Sequence, residues 1–239
     1  MISLAITSYN RSDSVIESFI QVIDNPLINE IVIVDDCSIH EEYIKLWNLV
    51  NNLDNAKVIL YRNKENLRPF KNKYTAVLKC SNDWVILLDS DNIIDNNYIE
   101  TVSGVDKDEK VLYIPEILYR KDKESIGWNY EEFNEFRIDR TNVKNYIDKP
   151  YFEALLNTGN HFFNRNRYMQ IVERTREDRT LSVNDAIYFS YLWLLRRNKI
   201  KVVPGLYYIH QASKDSWWTV HSKECRFSAS EITTKIKRW

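Results

Sequence analysis

Two unbroken apolar runs, Ile31-Val32-Ile33-Val34 and Trp84-Val85-Ile86-Leu87-Leu88, constrain the fold most strongly. A strand with one wet face alternates apolar and polar residues, so runs like these need cover on both faces. Helical periods lie between the strands. Val15, Ile16, Phe19, Ile20 and Ile23 share one face, with Ser12 or Ser14 as the expected cap. Tyr43, Ile44, Trp47 and Val50 suggest a second helix. With residues 2–7, 30–35, 57–61 and 84–88 as strands and 71–79 as a third helix, the first hundred residues alternate strand and helix. This predicts an α/β fold with a mostly parallel central sheet flanked by helices.

After residue 92 the rhythm breaks. Residues 111–114 read as a strand, 116–150 as irregular, and 166–173 and 184–197 as helices. Residues 201–203 and 205–210 read as a strand and a turn into a short strand. There is no repeat, low-complexity tract or linker, so the expectation is one domain over 1–239 whose halves meet near residue 92.

Composition removes several classes. The 33 Lys and Arg against 34 Asp and Glu leave a net charge of −1, without the basic excess that a general nucleic-acid binder needs. The apolar runs are far short of the ~20 residues of a membrane span, and no leader-like segment opens the chain. Cys37, Cys80 and Cys225 have no CxxC spacing, which fits neither a disulfide framework nor a zinc cluster and suits a reducing, cytoplasmic setting. With 4 glycines and no GxGxxG or GxxxxGK[ST], a dinucleotide or P-loop cradle is disfavoured.

In parallel sheets ligands bind beyond the carboxyl ends of the strands. Those ends are Thr7-Ser8-Tyr9-Asn10-Arg11, Asp35-Asp36-Cys37-Ser38, Arg62 to Asn66, and Asp89-Ser90-Asp91. Asp89 and Asp91, two apart, are expected to leave the strand on one side, where a hard divalent cation would relieve their repulsion. The alternative is a solvated turn. Asp35 and Asp36 suit either an N–H or hydroxyl ligand or an ordinary turn.

Together these segments resemble glycosyltransferases of the GT-A fold, specifically the inverting enzymes of family 2. That family's strand-TYNR, strand-VDDGS, N-x-G…ARN and strand-LDxDD pattern is similar to Ile6-Thr7-Ser8-Tyr9-Asn10-Arg11, Ile33-Val34-Asp35-Asp36-Cys37-Ser38, Asn66-Leu67-Arg68 running to Lys73, and Leu87-Leu88-Asp89-Ser90-Asp91-Asn92, in order and in register. Cys37 and Arg68 stand at family glycines, Lys73 at an arginine, and Asn92 where a third Asp often sits.

The resemblance implies a nucleotide-sugar-binding half over 1–92 and an acceptor-binding, catalytic half over 93–239. Thr7, Tyr9 and Arg11 would line the nucleotide pocket, Asp35 or Asp36 would contact the base, and Lys73 would lie near the base or phosphates. Asp89 and Ser90 would lie near the ribose or metal, and Asp91, with Asp89 and a late His210, would ligate Mn²⁺ or Mg²⁺. Gly159 and Asn160, within Asn157 to Phe163, resemble the loop beneath the donor sugar. Ser182-Val183-Asn184-Asp185 resembles the segment carrying the catalytic base, here Asp185; Asn184 replaces the usual Glu, and Ser182 with Asp185 equally reads as a helix-capping pair. Lys214, near Ser213, Trp217 and Trp218, would neutralise phosphate.

The implied partners are a UDP-sugar by preference and a glycan or glycolipid acceptor. The tail from Gln211 to Trp239, with net charge +3, allows peripheral membrane contact, though a solvated face suits it too. A sugar-nucleotide pyrophosphorylase is disfavoured by the missing N-terminal glycine loop. A catalytically silent sugar-nucleotide or glycan-binding module is the alternative.

Overall fold

The structure, a computed structural model, is described for residues 1–121, 125–211 and 216–239. The first half alternates as its apolar runs require. It contains β1 (Ile2–Ser8), α1 (Ser12–Phe19), β2 (Ile28–Asp35), α2 (His40–Asn52), β3 (Val58–Arg62), α3 (Arg68–Lys79) and β4 (Trp84–Asp89). β5 (Asn92–Ile93), α4 (Asn96–Ser103), β6 (Val111–Arg120), β7 (Ile126–Asn129), β8 (Arg137–Asp139), α5 (Phe152–Leu156), β9 (His161–Asn164) and α6 (Arg165–Glu173) follow. The chain then forms α7 (Asp185–Leu195), β10 (Lys199–His210), α8 (Trp217–Val220) and α9 (Ser222–Lys237).

One sheet joins both halves in the order β3-β2-β1-β4-β9-β6-β10-β5, with β7 on β6 and β8 on β10. β1, β2, β3 and β4 pair in parallel, as do β6 and β10. β9 runs antiparallel to both β4 and β6, and β5, β7 and β8 are antiparallel additions. The sheet is therefore parallel in the first half and mixed in the second.

Alternate residues of each central strand enter opposite cores. Leu4, Ile6, Ile31, Ile33, Ile86 and Leu88 pack with α1, α2 and α4, whereas Ala5, Val32, Val34, Val85 and Leu87 pack with α3, α6 and α7. Each buried Val, Leu or Ile among them contributes ~1.5–3 kcal/mol relative to exposure.

Several local expectations change. α1 stops at Phe19 and passes into a 3-10 turn. Neither Ser12 nor Ser14 caps it, because Ser12 bonds through N and Oγ to Glu42. Residues expected to be irregular hold the end of β6 and all of β7 and β8. The two late strands are one strand, β10, whose register with β6 shifts around Gly205 (φ +75°). α9 is a further helix that the sequence pattern did not reveal.

Candidate active site

β1 lies between β2 and β4, so the chain departs in opposite directions from neighbouring strand ends and leaves a crevice there. The segment after β1 turns through Asn10 (φ +53°), whose N–H donates to Ser38 Oγ at 2.7 Å and whose Oδ1 accepts from Ile39 N at 2.9 Å. Tyr9 stands 46% exposed at the mouth. Arg11 pairs with Asp91 at 2.6 Å.

The acidic pair ending β2 serves the protein itself. Asp35 is fully buried, accepts from Ser38 Oγ and, at 3.0 Å, from Ser38 N, and meets Arg62 Nε at 3.5 Å. Asp36 accepts from Asn63 Nδ2 and Leu67 N, both at 2.8 Å. Burial pushes the Asp36 carboxyl above the usual carboxylate range despite those bonds. Both side chains brace the loops around β3, a role the motif did not specify. Cys37 (φ +61°) and Arg68 (φ +68°) adopt left-handed backbone at the two positions where the family pattern has glycine.

The centre of the site is a triad built on the buried Lys73. α3 carries Lys73 inward, and its Nζ lies 2.8 Å from Asp89 Oδ1 and 2.6 Å from Asp185 Oδ2. Burial works against the Lys73 charge, but Asp185 and Asp89 more than reverse that and hold the ammonium above its usual range. Asp185 is displaced upward, because burial and the Asp89 charge outweigh Lys73. Asp185 opens α7, yet the capping pair does not form: Ser182 Oγ donates to Glu177 Oε1 at 2.6 Å, and Asn184 is the N-cap residue. Asn184 Nδ2 donates to Cys225 O at 3.3 Å, and Trp217 Nε1 donates to Val183 O at 2.6 Å. α8 and α9 thus hold the segment that delivers Asp185.

Around Asp89 the packing is close. Thr7 Oγ1 donates to its Oδ1 at 3.5 Å, and a Cβ on Gly159 would fall 2.5 Å from its Oδ2. The backbone at Gly159 therefore packs directly against this carboxylate. Asn160 Oδ1 accepts from Asp89 N at 3.4 Å and from Asn92 Nδ2 at 3.1 Å, and Ser90 is buried in the turn beyond. His161, unnoticed in the sequence, is buried and pushed down to about 3 by burial and the Lys73 charge, so it is neutral near pH 7. It shares with Lys73, Asp185 and Tyr168 a cavity of about 10 Å³, room for one water molecule.

Asp89 and Asp91 pair with different side chains, Lys73 and Arg11. The carboxylate that faces Asp89 across a cation is Asp185. His210 pairs opposite Asn92, with Nδ1 2.7 Å from Asn92 Oδ1, and Gln211 N donates to Asp91 O at 2.8 Å, so Asp91 and His210 reach the same sheet end. Among the described residues no three His, Cys, Asp or Glu side chains form a set able to hold a metal. Lys214 lies outside the described residues.

This mixed sheet, with acidic strand ends and a carboxylate opening a late helix, matches a defined class. The model of glycosyl transferase family 2 matches residues 3–203. The chain belongs to that family, and its mixed, helix-flanked sheet has the GT-A fold. A comparison with curated proteins gives no match. Among solved structures, residues 1–349 of S. aureus TarS align at 14% identity and TM-score 0.66 over 98% of this chain and 64% of that one. The same protein with UDP-GlcNAc aligns at 15% and 0.68, over 99% and 70%. GalNAc-T7 with UDP, GalNAc and Mn²⁺ aligns at 16% and 0.63, over 90% and 44%. The chain thus spans just under two thirds of the first of these structures and under half of the last. No helix among the described residues is long and apolar enough to cross a membrane.

Proposed function

We propose that this chain transfers a hexose or deoxyhexose from a nucleoside diphosphate, UDP by preference, to a hydroxyl of a glycan or glycolipid acceptor, inverting the anomeric carbon. The donor occupies the half over 1–92, at the ends of β1, β2 and β4, and the acceptor the half over 93–239. The observation that carries the reading is Asp185, a largely buried carboxylate with a raised pKa opening α7 beside Asp89, in a chain that matches family 2 over residues 3–203.

The chemistry follows from that carboxylate. An alcohol is a weak nucleophile near neutral pH. Asp185 accepts its proton as the new bond to the anomeric carbon forms, a contribution of ~10²–10⁴ in rate. A raised pKa makes Asp185 the stronger base, and Lys73 keeps it ionised and oriented. The diphosphate departs with the bonding electrons, so no covalent sugar–enzyme intermediate is needed. Arg11, at the donor end, offers positive charge to the diphosphate.

The donor set around Asp91 fits a hard cation that arrives with the donor. Mg²⁺ and Mn²⁺ take oxygen ligands, and Mg²⁺ commonly uses one or two protein carboxylates, the remaining ligands being phosphate and water. Asp91 would hold such an ion, with His210 at the same sheet end. When bound, it would stabilise negative charge on the leaving diphosphate. A cytoplasmic location with peripheral membrane contact agrees with this reading.

Asp185→Asn is the test. Donor binding, read as the melting shift given by a UDP-sugar with Mn²⁺, should persist while turnover falls ~10²–10⁴-fold. Near-normal turnover would remove Asp185 from the base role, and nucleotide binding without transfer or hydrolysis in the wild type would favour a silent module.

A further inference from the structure

We propose that Trp128 and Tyr151 form an aromatic platform for a neutral sugar ring of the acceptor glycan; this rests on the glycosyltransferase reading. Trp128 is 41% exposed and Tyr151 54%, and their rings meet edge to face at 5.6 Å and 64°. Two large aromatic rings packed on each other at the surface leave apolar faces in water, which a sugar's C–H face can cover.

The topology puts this pair beside the site. β9 occupies the edge of β6 at Tyr113, and β7 takes over the same strand further on, with Trp128 opposite Leu118. β9 also pairs with β4, matching His161 to Leu87 two residues before Asp89. β7 therefore begins where β9 stops, at the sheet end that carries Asp89. Two residues beyond Trp128, the Tyr130 hydroxyl accepts from Thr158 Oγ1 at 3.1 Å, next to Gly159. Tyr151 leads into α5, whose last turn delivers the loop from Asn157 to Asn160. Both aromatic residues thus sit on segments that end at the proposed donor loop, on the acceptor side.

A second observation is the backbone. Tyr151 holds φ +63°, a left-handed conformation that a bulky L residue adopts only under constraint. Such strain gathers at ligand clamps and is a reason to look for function. Near the pair in sequence, Lys149 lies 3.6 Å from Glu132, and this pairing of opposite charges suits a neutral ligand.

The experiment uses the full chain and chitotetraose, cellotetraose and maltotetraose as probes, followed by saturation-transfer NMR and calorimetry. At least one probe should bind, and Trp128→Ala or Tyr151→Ala should weaken it by about tenfold or more. Tyr151→Phe should retain binding. Tyr151→Gly should raise the melting temperature by relieving the backbone and still lose the sugar, a combination that a purely structural residue would not give. The UDP-induced melting shift should be unchanged in all these variants. The proposal is overturned if no probe binds, if binding survives both alanine variants, or if those variants instead dissociate a dimer of the chain. A wild type that ignores UDP yet binds a probe would count against the donor reading and leave the platform standing.

Discussion

The Lys73 ammonium lies 2.6 Å from the Asp185 carboxylate, and this ion pair joins the middle of α3 to the first turn of α7. Asp89, at 2.8 Å, is the third member. Removing one partner of a buried pair leaves an uncompensated charge, so Lys73→Met should destabilise the fold by ~3–5 kcal/mol. Lys73→Arg keeps the charge and should recover part of that.

The loss in Lys73→Met should depend on pH. Without the ammonium, burial and Asp89 keep the folded-state pKa of Asp185 above its unfolded value of about 3.9. Between those values the folded state binds more protons than the unfolded state, so stability falls as pH rises. The deficit against wild type should be smallest near pH 4 and grow towards pH 8 in urea unfolding. A constant deficit would show that the lost charge is not what matters.

His161 acts in the opposite sense. Its folded pKa of about 3 lies below the unfolded value of about 6.5, so its contribution is full above 6.5 and is lost as pH falls towards 3. His161→Phe removes the titrating group from that cavity. The variant's acid-unfolding midpoint, followed by circular dichroism, should move to lower pH; an unchanged midpoint would refute this account.

Cys37 and Arg68 hold left-handed backbone without being glycine. An L residue there costs ~1–2 kcal/mol, and glycine returns ~0.5–1 kcal/mol of that in chain entropy. Cys37→Gly and Arg68→Gly should each stabilise by ~0.5–1 kcal/mol, a rise of ~1–4 °C in Tm. The Cys37 thiol contacts Lys64 O at 3.6 Å, too weak an interaction to reverse the sign.

Metal affinity should depend on the nucleotide. Arg11 already neutralises Asp91, and no three-residue ligand set exists among the described residues. Mn²⁺ binding followed by electron paramagnetic resonance should be weak without UDP and tighten at least ~10-fold, or ~1.4 kcal/mol, with it. Tight binding to the nucleotide-free chain would contradict the reading of Asp91 as a partial site.

The first four strands were legible because continuous apolar runs have few folded solutions, and their ends were placed within about one or two residues. β6 was truncated in the reading because Pro115 and Glu116 interrupt its apolar character. In the fold Glu116 is buried, bonded to Asn134 and, at 2.7 Å, to Gly205 N. α9 was missed although Cys225, Ala229, Ile232 and Ile236 recur at helical spacing, because the first half of that face is made of small residues with Ser228 among them. In the site, motif order identified Asp89, Asp185 and Lys73 but not their mutual contact. Period-two spacing pointed to Asp89 with Asp91, whereas the opposing carboxylate comes from a helix that only the tertiary fold brings near. Gly159 was read as part of the loop beneath the donor sugar, and no local pattern reports that it also packs against Asp89.

The Asp89–Lys73–Asp185 cluster also limits how this domain can be recombined. A chimera that exchanged the C-terminal portion for one lacking an acid at the start of α7 would strand the ammonium with a single counterion. A graft that kept Asp185 but replaced Lys73 with a neutral residue would crowd two anions together. The three side chains act as one electrostatic unit, and half-domain swaps should succeed only when all three travel together.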